Sequence, residues 1–281
     1  MALVEDLSER LQGIVQARLN NDALVLPSLP GPAARALEAL DQGGEPREVV
    51  PHLSRCPLLA VQVLQAAAAG GEAPSSLQEA VAALAPQRLK GAVVAACAHG
   101  VFESRDPRIA RSCQRLWQHS IGVALLARDL AALSGSPDAE LAFLAGLLHD
   151  VGKPLAASLL LEAERMSQRR LVDSDTWLEV VKASHQSLGL ALAERWGLPA
   201  EVVEVIMDVT EFDVTQRSSP ANFARFANAA AKQAGLYEGS YDAEDNDALL
   251  MIGRSMLDID DAALERLCAN LEDRSSEEKA A

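Results

Sequence analysis

Apolar residues recur at intervals of three and four along this chain, and that spacing constrains the fold more than any other feature. Leu7, Leu11 and Ile14, for example, would lie on one face of a helix. Prolines and glycines interrupt the pattern, as in Leu26–Pro32 and Gly135–Pro137, and divide the chain into roughly a dozen helical segments. Alternation of apolar and polar residues, which is typical of strands, is rare. The sequence therefore predicts an all-α fold.

The composition limits the classes of partner. Aromatic residues make up only 4% of the chain, while Ala and Leu dominate, a mixture that favours packed helices over β-sandwiches. The formal net charge of −15 opposes sequence-independent binding to nucleic acid, which depends on Lys and Arg side chains that neutralise phosphates. The same charge opposes binding to an anionic membrane surface. We therefore predict neither a nucleic-acid nor a membrane partner.

The cysteines and the N-terminus predict the compartment. The chain has 4 cysteines, which are scattered and form no Cys-x-x-Cys pair. The first residues have neither the basic start nor the apolar core of a signal peptide. No charge-free apolar run reaches the roughly 18 residues that a membrane-spanning helix needs. Unpaired thiols in a chain without a leader indicate a reducing environment, so we expect a cytoplasmic protein.

His149 and Asp150 follow the apolar run Phe143–Leu148, which should form a buried helix. An imidazole and a carboxylate can bind one metal ion together when further ligands converge on it from separate helices. His119 could reach the same point, because its distance in sequence fits a helix, a turn and a second antiparallel helix. His185, at the start of a later helix, is another candidate. One interpretation is therefore a metallohydrolase centre.

The other interpretation needs no metal. His149, at a helix end, would donate a hydrogen bond to a carboxylate such as Asp150, and Asp150 would accept backbone amides of the next turn. Lys153 has a different role under each of the two interpretations. It could clamp a phosphate in a hydrolase, or it could favour the dipole of the helix that ends before it. We prefer the metal-free interpretation.

At these residues the sequence resembles known families. Phe143–Lys153 resembles the signature of the HD superfamily of metal-dependent phosphohydrolases, and His119, within Trp117–Ser120, matches the first histidine of that pattern. Other stretches resemble the HDOD family, namely Leu26–Pro30, Cys56–Leu64, Ser76–Leu84, Ser184–Gly189 and Trp196–Pro199. The resemblance covers about residues 22–235. It implies a bacterial, cytoplasmic regulatory protein that acts through protein contacts, in a family often without demonstrated catalysis.

The resemblance also implies a domain organisation. A leading helix over 1–21 would precede an N-terminal helical lobe over 22–104 and a multi-helix HD-like bundle over 105–240. Residues 241–281 would form C-terminal helices, about Asn246–Leu257 and Asp260–Leu271, and a polar tail. We predict that the tail, Arg274–Ala281, is disordered because it is polar and built of small residues.

Departures from the family pattern limit the chemistry that the resemblance implies. The HD pattern ends with an Asp as fourth ligand, but that position falls on Asn228, whose neutral amide is a weaker ligand than a carboxylate. The related HD-GYP phosphodiesterases carry two histidines near Val205–Thr210, where this chain has Met207 and Asp208. A vestigial or weak metal set therefore remains: His119, His149 and Asp150, with His185, Asp208 and Asn228 as lesser candidates.

We therefore predict an HDOD-type signalling module that is catalytically inactive, holds no cofactor and acts on a protein partner. One alternative is a divergent HD phosphohydrolase for nucleotides or cyclic dinucleotides that uses a single Mn, Fe or Mg ion, with Lys153 as the phosphate clamp. Another is a nucleotide sensor that binds its ligand in the former catalytic cleft without turnover.

Overall fold

The structure, a computed structural model, describes residues 2–68 and 74–280 of the 281-residue chain. Every regular element within these residues is a helix, which confirms the predicted all-α class. The helices are α1 Ala2–Asn20, α2 Gly31–Asp41, α3 Pro46–Leu53, α4 Pro57–Ala68, α5 Leu77–Ala83, α6 Pro86–Phe102, α7 Pro107–Leu133, α8 Ala139–Leu148, α9 Gly152–Ser167, α10 Trp177–Val181, α11 His185–Trp196, α12 Ala200–Met207, α13 Pro220–Gln233, α14 Ala243–Leu257, α15 Asp261–Cys268 and α16 Leu271–Ala280. From the sequence, Gly70–Gly71 would end the helix that Pro57 begins, but this position lies outside the described residues.

The helices form two compact units. The smaller unit consists mainly of Ser28–Gly100, and its core is built from aliphatic side chains of α2 to α6, including the fully buried Leu53, Leu59 and Leu89. The larger unit comprises 2–27 and Val101–Ser276 and holds the histidines and carboxylates predicted to form a site.

Three helices form the centre of the larger unit. The middle of α7, all of α8 after its first turn, and the first three turns of α13 are buried together. A Cβ atom added to Gly146 of α8 would lie 2.9 Å from the Cα of Ala124, so only glycine allows α7 and α8 to approach this closely. This crossing brings the C-terminal end of α8 alongside His119 in the middle of α7.

A second close crossing fixes the start of α9. A Cβ atom on Gly152 would lie 1.7 Å from the carbonyl oxygen of His185, and 2.9 Å from the backbone nitrogen of Gly189. The first turns of α9 and α11 are therefore in direct backbone contact. Because Gly152 lies between Asp150 and Lys153, this contact also fixes where those two side chains emerge.

The C-terminal region differs from the prediction. Leu271–Ala280 is a helix, so the expectation that the chain is disordered from Arg274 onwards was wrong. The first turn of this helix is held in place because Leu271 is 1% exposed and Arg274 donates a 2.7 Å hydrogen bond to Asp129 of α7. Hydrophobic burial and an ion pair at the beginning of the segment thus stabilise the helix, although the composition of the segment is polar.

Two helix boundaries also differ, in each case because an aspartate caps the backbone. The apolar spacing in the sequence predicts a helical segment that ends near Phe212, but α12 ends at Met207. The side chain of Asp208 then accepts hydrogen bonds from the amides of Thr210 and Glu211. The helix expected from Asn246 starts at Ala243, where Asp242 is the N-cap.

Two observations bear on the predicted compartment. All four cysteines are free thiols. Within the described residues, one helical stretch, Ala139–Ser167, is long and apolar enough to cross a membrane, but 78% of its most apolar window is buried inside the protein. Core helices pass the same test of length and composition, so the stretch is weak evidence for a membrane span.

Candidate metal centre

His119, His149 and Asp150 converge in the core of the larger unit, and we call them the triad. One ligand atom of each lies within 4.8 Å of the other two. The two Nε2 atoms are 3.2 Å apart, and the Oδ2 atom of Asp150 lies 3.4 Å from Nε2 of His149 and 4.0 Å from Nε2 of His119. All three residues are at most 5% exposed. The sequence thus identified three groups that the fold brings to one point.

Hydrogen bonds from Nδ1 orient both imidazole rings. Nδ1 of His119 donates to the carbonyl oxygen of Leu236 at 2.8 Å, and Nδ1 of His149 donates to that of Gly146 at 2.7 Å. Since a carbonyl can only accept, each Nδ1 carries a proton, and the Nε2 atom of each ring faces the centre of the triad. Leu236 reaches α7 because Gly122 leaves room, as a Cβ there would lie 2.2 Å from a methyl carbon of Leu236.

The geometry of the triad fits a single metal ion. Bonds of about 2.1 Å to one ion place two nitrogen ligands roughly 3.0–3.4 Å apart, and the observed Nε2 separation is 3.2 Å. The carbonyl partners of Nδ1 match those that usually orient metal-binding histidines. When bound, such an ion would polarise a water molecule or a phosphoryl oxygen. His119, His149 and Asp150 are the residues that would hold it.

Lys153 contacts the carboxylate of the triad. Its Nζ lies 2.5 Å from Oδ2 of Asp150, the same oxygen that faces both histidines. Burial alone would raise the pKa of Asp150, but the Lys153 ammonium, assisted by His149, holds that pKa well below its ordinary value. Lys153 lies in the first turn of α9, where a cation opposes the helix dipole. The predicted interaction of Lys153 with the dipole of α8 stays a prediction, and the contact that the structure shows is the one with Asp150.

The metal-free interpretation expected His149 to donate to a carboxylate such as Asp150, and Nε2 of His149 lies 3.4 Å from Oδ2 of Asp150. It did not include two contacts that the structure shows. Nδ1 of His149 donates to the carbonyl of Gly146 within its own helix end, and Asp150 pairs with Lys153. The bond that ties separate parts of the fold together is the one from His119 to Leu236, which links α7 to the residues that follow α13.

His119 is neutral at neutral pH. Burial lowers its pKa to about 3, and the neighbouring His149 adds to the effect, while Asp150 opposes it. Lys153 and Lys232 lower the pKa further. A neutral His119 keeps its Nε2 lone pair directed at the centre of the triad.

The depressed pKa of His119 predicts acid-labile folding. Above the unfolded pKa of about 6.5 both states hold neutral His119, whereas below it the unfolded chain takes up a proton that the folded chain refuses until about pH 3. We expect the free energy of unfolding to fall by about 2 kcal/mol between pH 7 and 5 from this residue. Urea denaturation at each pH measures the effect. His119→Asn, whose amide can still donate to Leu236, should show a shallower pH dependence, and an unchanged slope would contradict the assignment.

Helix α13 approaches the triad with an amide and a cation. Asn228 is 1% exposed, and neither polar atom of its side chain has a hydrogen-bond partner. Lys232 lies four residues further on, on the same face of α13. Burial lowers the pKa of Lys232, and the Asp150 carboxylate opposes that shift, so the two charges interact. Lys232 was not predicted from the sequence, although its spacing of four residues from Asn228 places both on one helix face.

His185 and Asp208 lie outside the triad. Nδ1 of His185 donates to the carbonyl of Lys182 at 2.7 Å, and the residue is half-buried at the start of α11. Burial lowers the pKa of His185, with Asp150 opposing, so it lies within electrostatic range of the triad. The carboxylate of Asp208 instead caps the turn after α12, accepting from the amide and hydroxyl of Thr210.

Comparison with protein families and curated proteins gives two kinds of match. Residues 26–212 match the HDOD domain family. A segment of 93 residues, 33% of this chain, is 42% identical to ribonuclease Y from two strains of Thermus thermophilus. The match spans only 12% of the length of that ribonuclease.

Solved structures show the same fold. A protein from Shewanella amazonensis SB2B that carries the name of a metal-dependent phosphohydrolase superposes with a TM-score of 0.73, at 20% identity, over 96% of this chain and 99% of its own. An HDOD domain protein of unknown function from Geobacter sulfurreducens superposes with a TM-score of 0.63, at 22% identity, over 97% of each chain. At these identities the likeness establishes the fold alone.

Proposed function

The chain belongs to the HDOD family, and on that premise we propose that it is a regulatory module of bacterial signalling that acts through protein contacts and does not hydrolyse phosphoesters. The observation that carries the proposal is Asn228. By the resemblance to the HD pattern, it stands where that pattern has a fourth, anionic ligand, and its amide is buried without a hydrogen-bond partner. The candidate ligand set that the structure brings together is therefore two imidazoles and a single carboxylate.

The charges around the triad support this proposal. Metal-assisted hydrolysis needs a firmly held divalent ion, a water molecule on it and room for the phosphoester. Asp150 is the one carboxylate in the triad, and it is already paired with the ammonium of Lys153. A second ammonium, that of Lys232, acts on the same group of residues. The carboxylate charge available to a divalent ion is small.

The triad has a structural role that would explain its presence in a regulatory module. The bond from His119 to Leu236 joins α7 to the segment after α13, and the pair of Asp150 with Lys153 joins the end of α8 to the first turn of α9. Buried polar contacts of this kind favour one arrangement of the core. Binding to a partner would then use the outer surface, and the net charge of −15 favours a partner with a basic docking surface.

Hydrolysis assays with a matched variant test the proposal. The wild-type protein is incubated with bis(p-nitrophenyl) phosphate, nucleotides and cyclic dinucleotides in the presence of Mn²⁺, Fe²⁺ or Mg²⁺, alongside His149→Ala. We expect equal, background rates for the two proteins. A wild-type rate well above that of His149→Ala would overturn the proposal. Affinity capture from the native cell at low and high salt would then identify the partner, whose binding should weaken with salt.

The second candidate function is a divergent metal-dependent phosphohydrolase, and one observation favours it. The two Nε2 atoms lie 3.2 Å apart, a separation that suits two ligands of one cation. In this case Lys153 would bind the phosphate, so Lys153→Ala should lower the hydrolysis rate of the protein that remains folded. Activity in the wild type that is lost in both His149→Ala and Lys153→Ala would favour this candidate over the regulatory module.

A further inference from the structure

The first turns of α16 pack into a groove lined by Gly122 and Asp129 of α7 and by Leu236, which we call the α16 groove. Leu271 enters it where Gly122 leaves space, since a Cβ atom on Gly122 would lie 3.7 Å from the Cγ atom of Leu271. Arg274, one turn further along α16, donates a 2.7 Å hydrogen bond to Asp129. An apolar contact and an ionic contact thus hold the helix in place.

Few side chains keep α16 in this groove. Among the side chains of α16 that the structure describes, 271–276, only Leu271 and Ser275 are buried. The side chains of Arg274 and Asp129 are 34% and 26% exposed, so water weakens their ion pair. Helix α16 has 10 residues, and an isolated helix of that length is marginal in water. The helix should therefore melt whenever it leaves the groove.

The groove is connected to the triad through Leu236. The side chains of Leu236 and Leu271 both lie within 4 Å of one point, the position of a Cβ atom on Gly122. The backbone carbonyl of Leu236 accepts the 2.8 Å hydrogen bond from Nδ1 of His119. Without Leu271, the side chain of Leu236 would lose a neighbour, and the carbonyl that orients His119 would be held less firmly.

We propose that the α16 groove is an exchangeable docking site for a helix, filled by α16 in the isolated chain, and that its occupant controls the hydrogen bond between Leu236 and His119. The residues of α16 define the partner that fits. It is a helix with an apolar residue in the place of Leu271, followed three positions later by an arginine for Asp129 and then by a small residue. A partner helix with more apolar residues on this face would displace α16.

The partner helix rests on the proposed function, because a regulatory module needs a surface through which a partner changes its state. The link between the groove and His119 does not rest on it. Hydrogen exchange and NMR measure this link without any assay of hydrolysis. A failure of the docking site is therefore distinguishable from a failure of the proposed function.

The variant Leu271→Ala tests the proposal in the full chain. Loss of the leucine side chain should lower the hydrogen-exchange protection of the α16 amides at least about tenfold. The amide of Leu236, which donates a 2.9 Å hydrogen bond to the carbonyl of Ala231, should also exchange faster. The NMR signal of the Nδ1 proton of His119 should shift and broaden. Arg274→Gln, which keeps the leucine, should release α16 to a smaller extent.

A synthetic peptide of residues 269–281 supplies the occupant from outside the chain. Added in excess to the Leu271→Ala protein, this peptide should return the His119 signal to its wild-type position. The same peptide with alanine in place of the leucine should not. These two peptides separate docking of a matching helix from a general effect of added peptide.

Leu133→Ala is the matched control, because it makes the same substitution on α7 at a side chain that is 58% exposed. It should leave α16 and His119 as they are in the wild type. Wild-type protection of α16 in Leu271→Ala would overturn the proposal, and so would an unchanged His119 signal after α16 is released or no response to the wild-type peptide. Loss of protection throughout the larger unit would also overturn it, since α16 would then be part of the core.

Discussion

Gly152→Ala is expected to lower the free energy of unfolding by about 3 kcal/mol or more. We expect this to be the largest effect of any Gly→Ala substitution in the larger unit. The added Cβ would lie 1.7 Å from the carbonyl oxygen of His185 and 2.6 Å from its carbonyl carbon. Both are backbone atoms of α11 and cannot rotate away, so α9 and α11 must separate. Urea denaturation followed by far-UV circular dichroism measures the loss.

Gly13→Ala is the matched control for this prediction. Gly13 lies within α1 of the same unit, and a Cβ atom there would meet nothing within 4 Å. Because alanine favours a helix over glycine, this variant should be more stable than the wild type by about 0.5–1 kcal/mol. If Gly152→Ala instead unfolds at the wild-type midpoint, the crossing of α9 and α11 is not as close as described.

The second large effect is expected from Lys153→Met, measured with a chelator present. This substitution leaves the charge of Asp150 buried without its ammonium, which typically costs about 3–5 kcal/mol. Asp150→Asn should cost less, since the side chain of Lys153 is 24% exposed and can turn its ammonium towards water, whereas that of Asp150 is 7% exposed. The difference in burial thus predicts an asymmetry between the two partners.

A double-mutant cycle checks this asymmetry. Asp150→Asn combined with Lys153→Met removes both charges, so it should be more stable than Lys153→Met alone. The chelator ensures that the comparison reports the ion pair rather than metal binding. Strictly additive losses would show that Asp150 and Lys153 do not interact in the folded protein.

The sequence predicted the members of the triad but not the way in which they are held. Spacing placed His119 in the middle of α7 and His149 at the end of α8, and the structure has both there. The Nδ1 partners, Gly146 and Leu236, could not be predicted, because they contribute backbone carbonyl groups that any residue type carries. Their positions depend on how closely α7, α8 and α13 pack.

Lys153 shows why the role of a charged residue is difficult to infer from its position. The sequence suggested a helix dipole because a helix ends shortly before it. A new helix, α9, begins at Gly152, and the ammonium of Lys153 pairs with Asp150 in its first turn, a contact that the sequence did not predict. The start of α9 is set by the contact with His185, a residue distant in sequence.

The C-terminal helix is a similar case. The polar residues after Leu271 resemble a disordered tail, and composition alone gives no reason to expect order. The ion pair of Arg274 with Asp129 and the burial of Leu271 supply that reason, and both depend on α7, more than a hundred residues earlier in the chain.

We propose that the triad of this HDOD protein serves a structural role and is not a metallohydrolase site. Elemental analysis of the wild-type protein, purified without chelator from cells supplied with Mn, Fe and Mg, tests this proposal. We expect far less than one equivalent of any of these metals per chain. About one equivalent per chain, lost in both His119→Ala and Asp150→Ala, would contradict it.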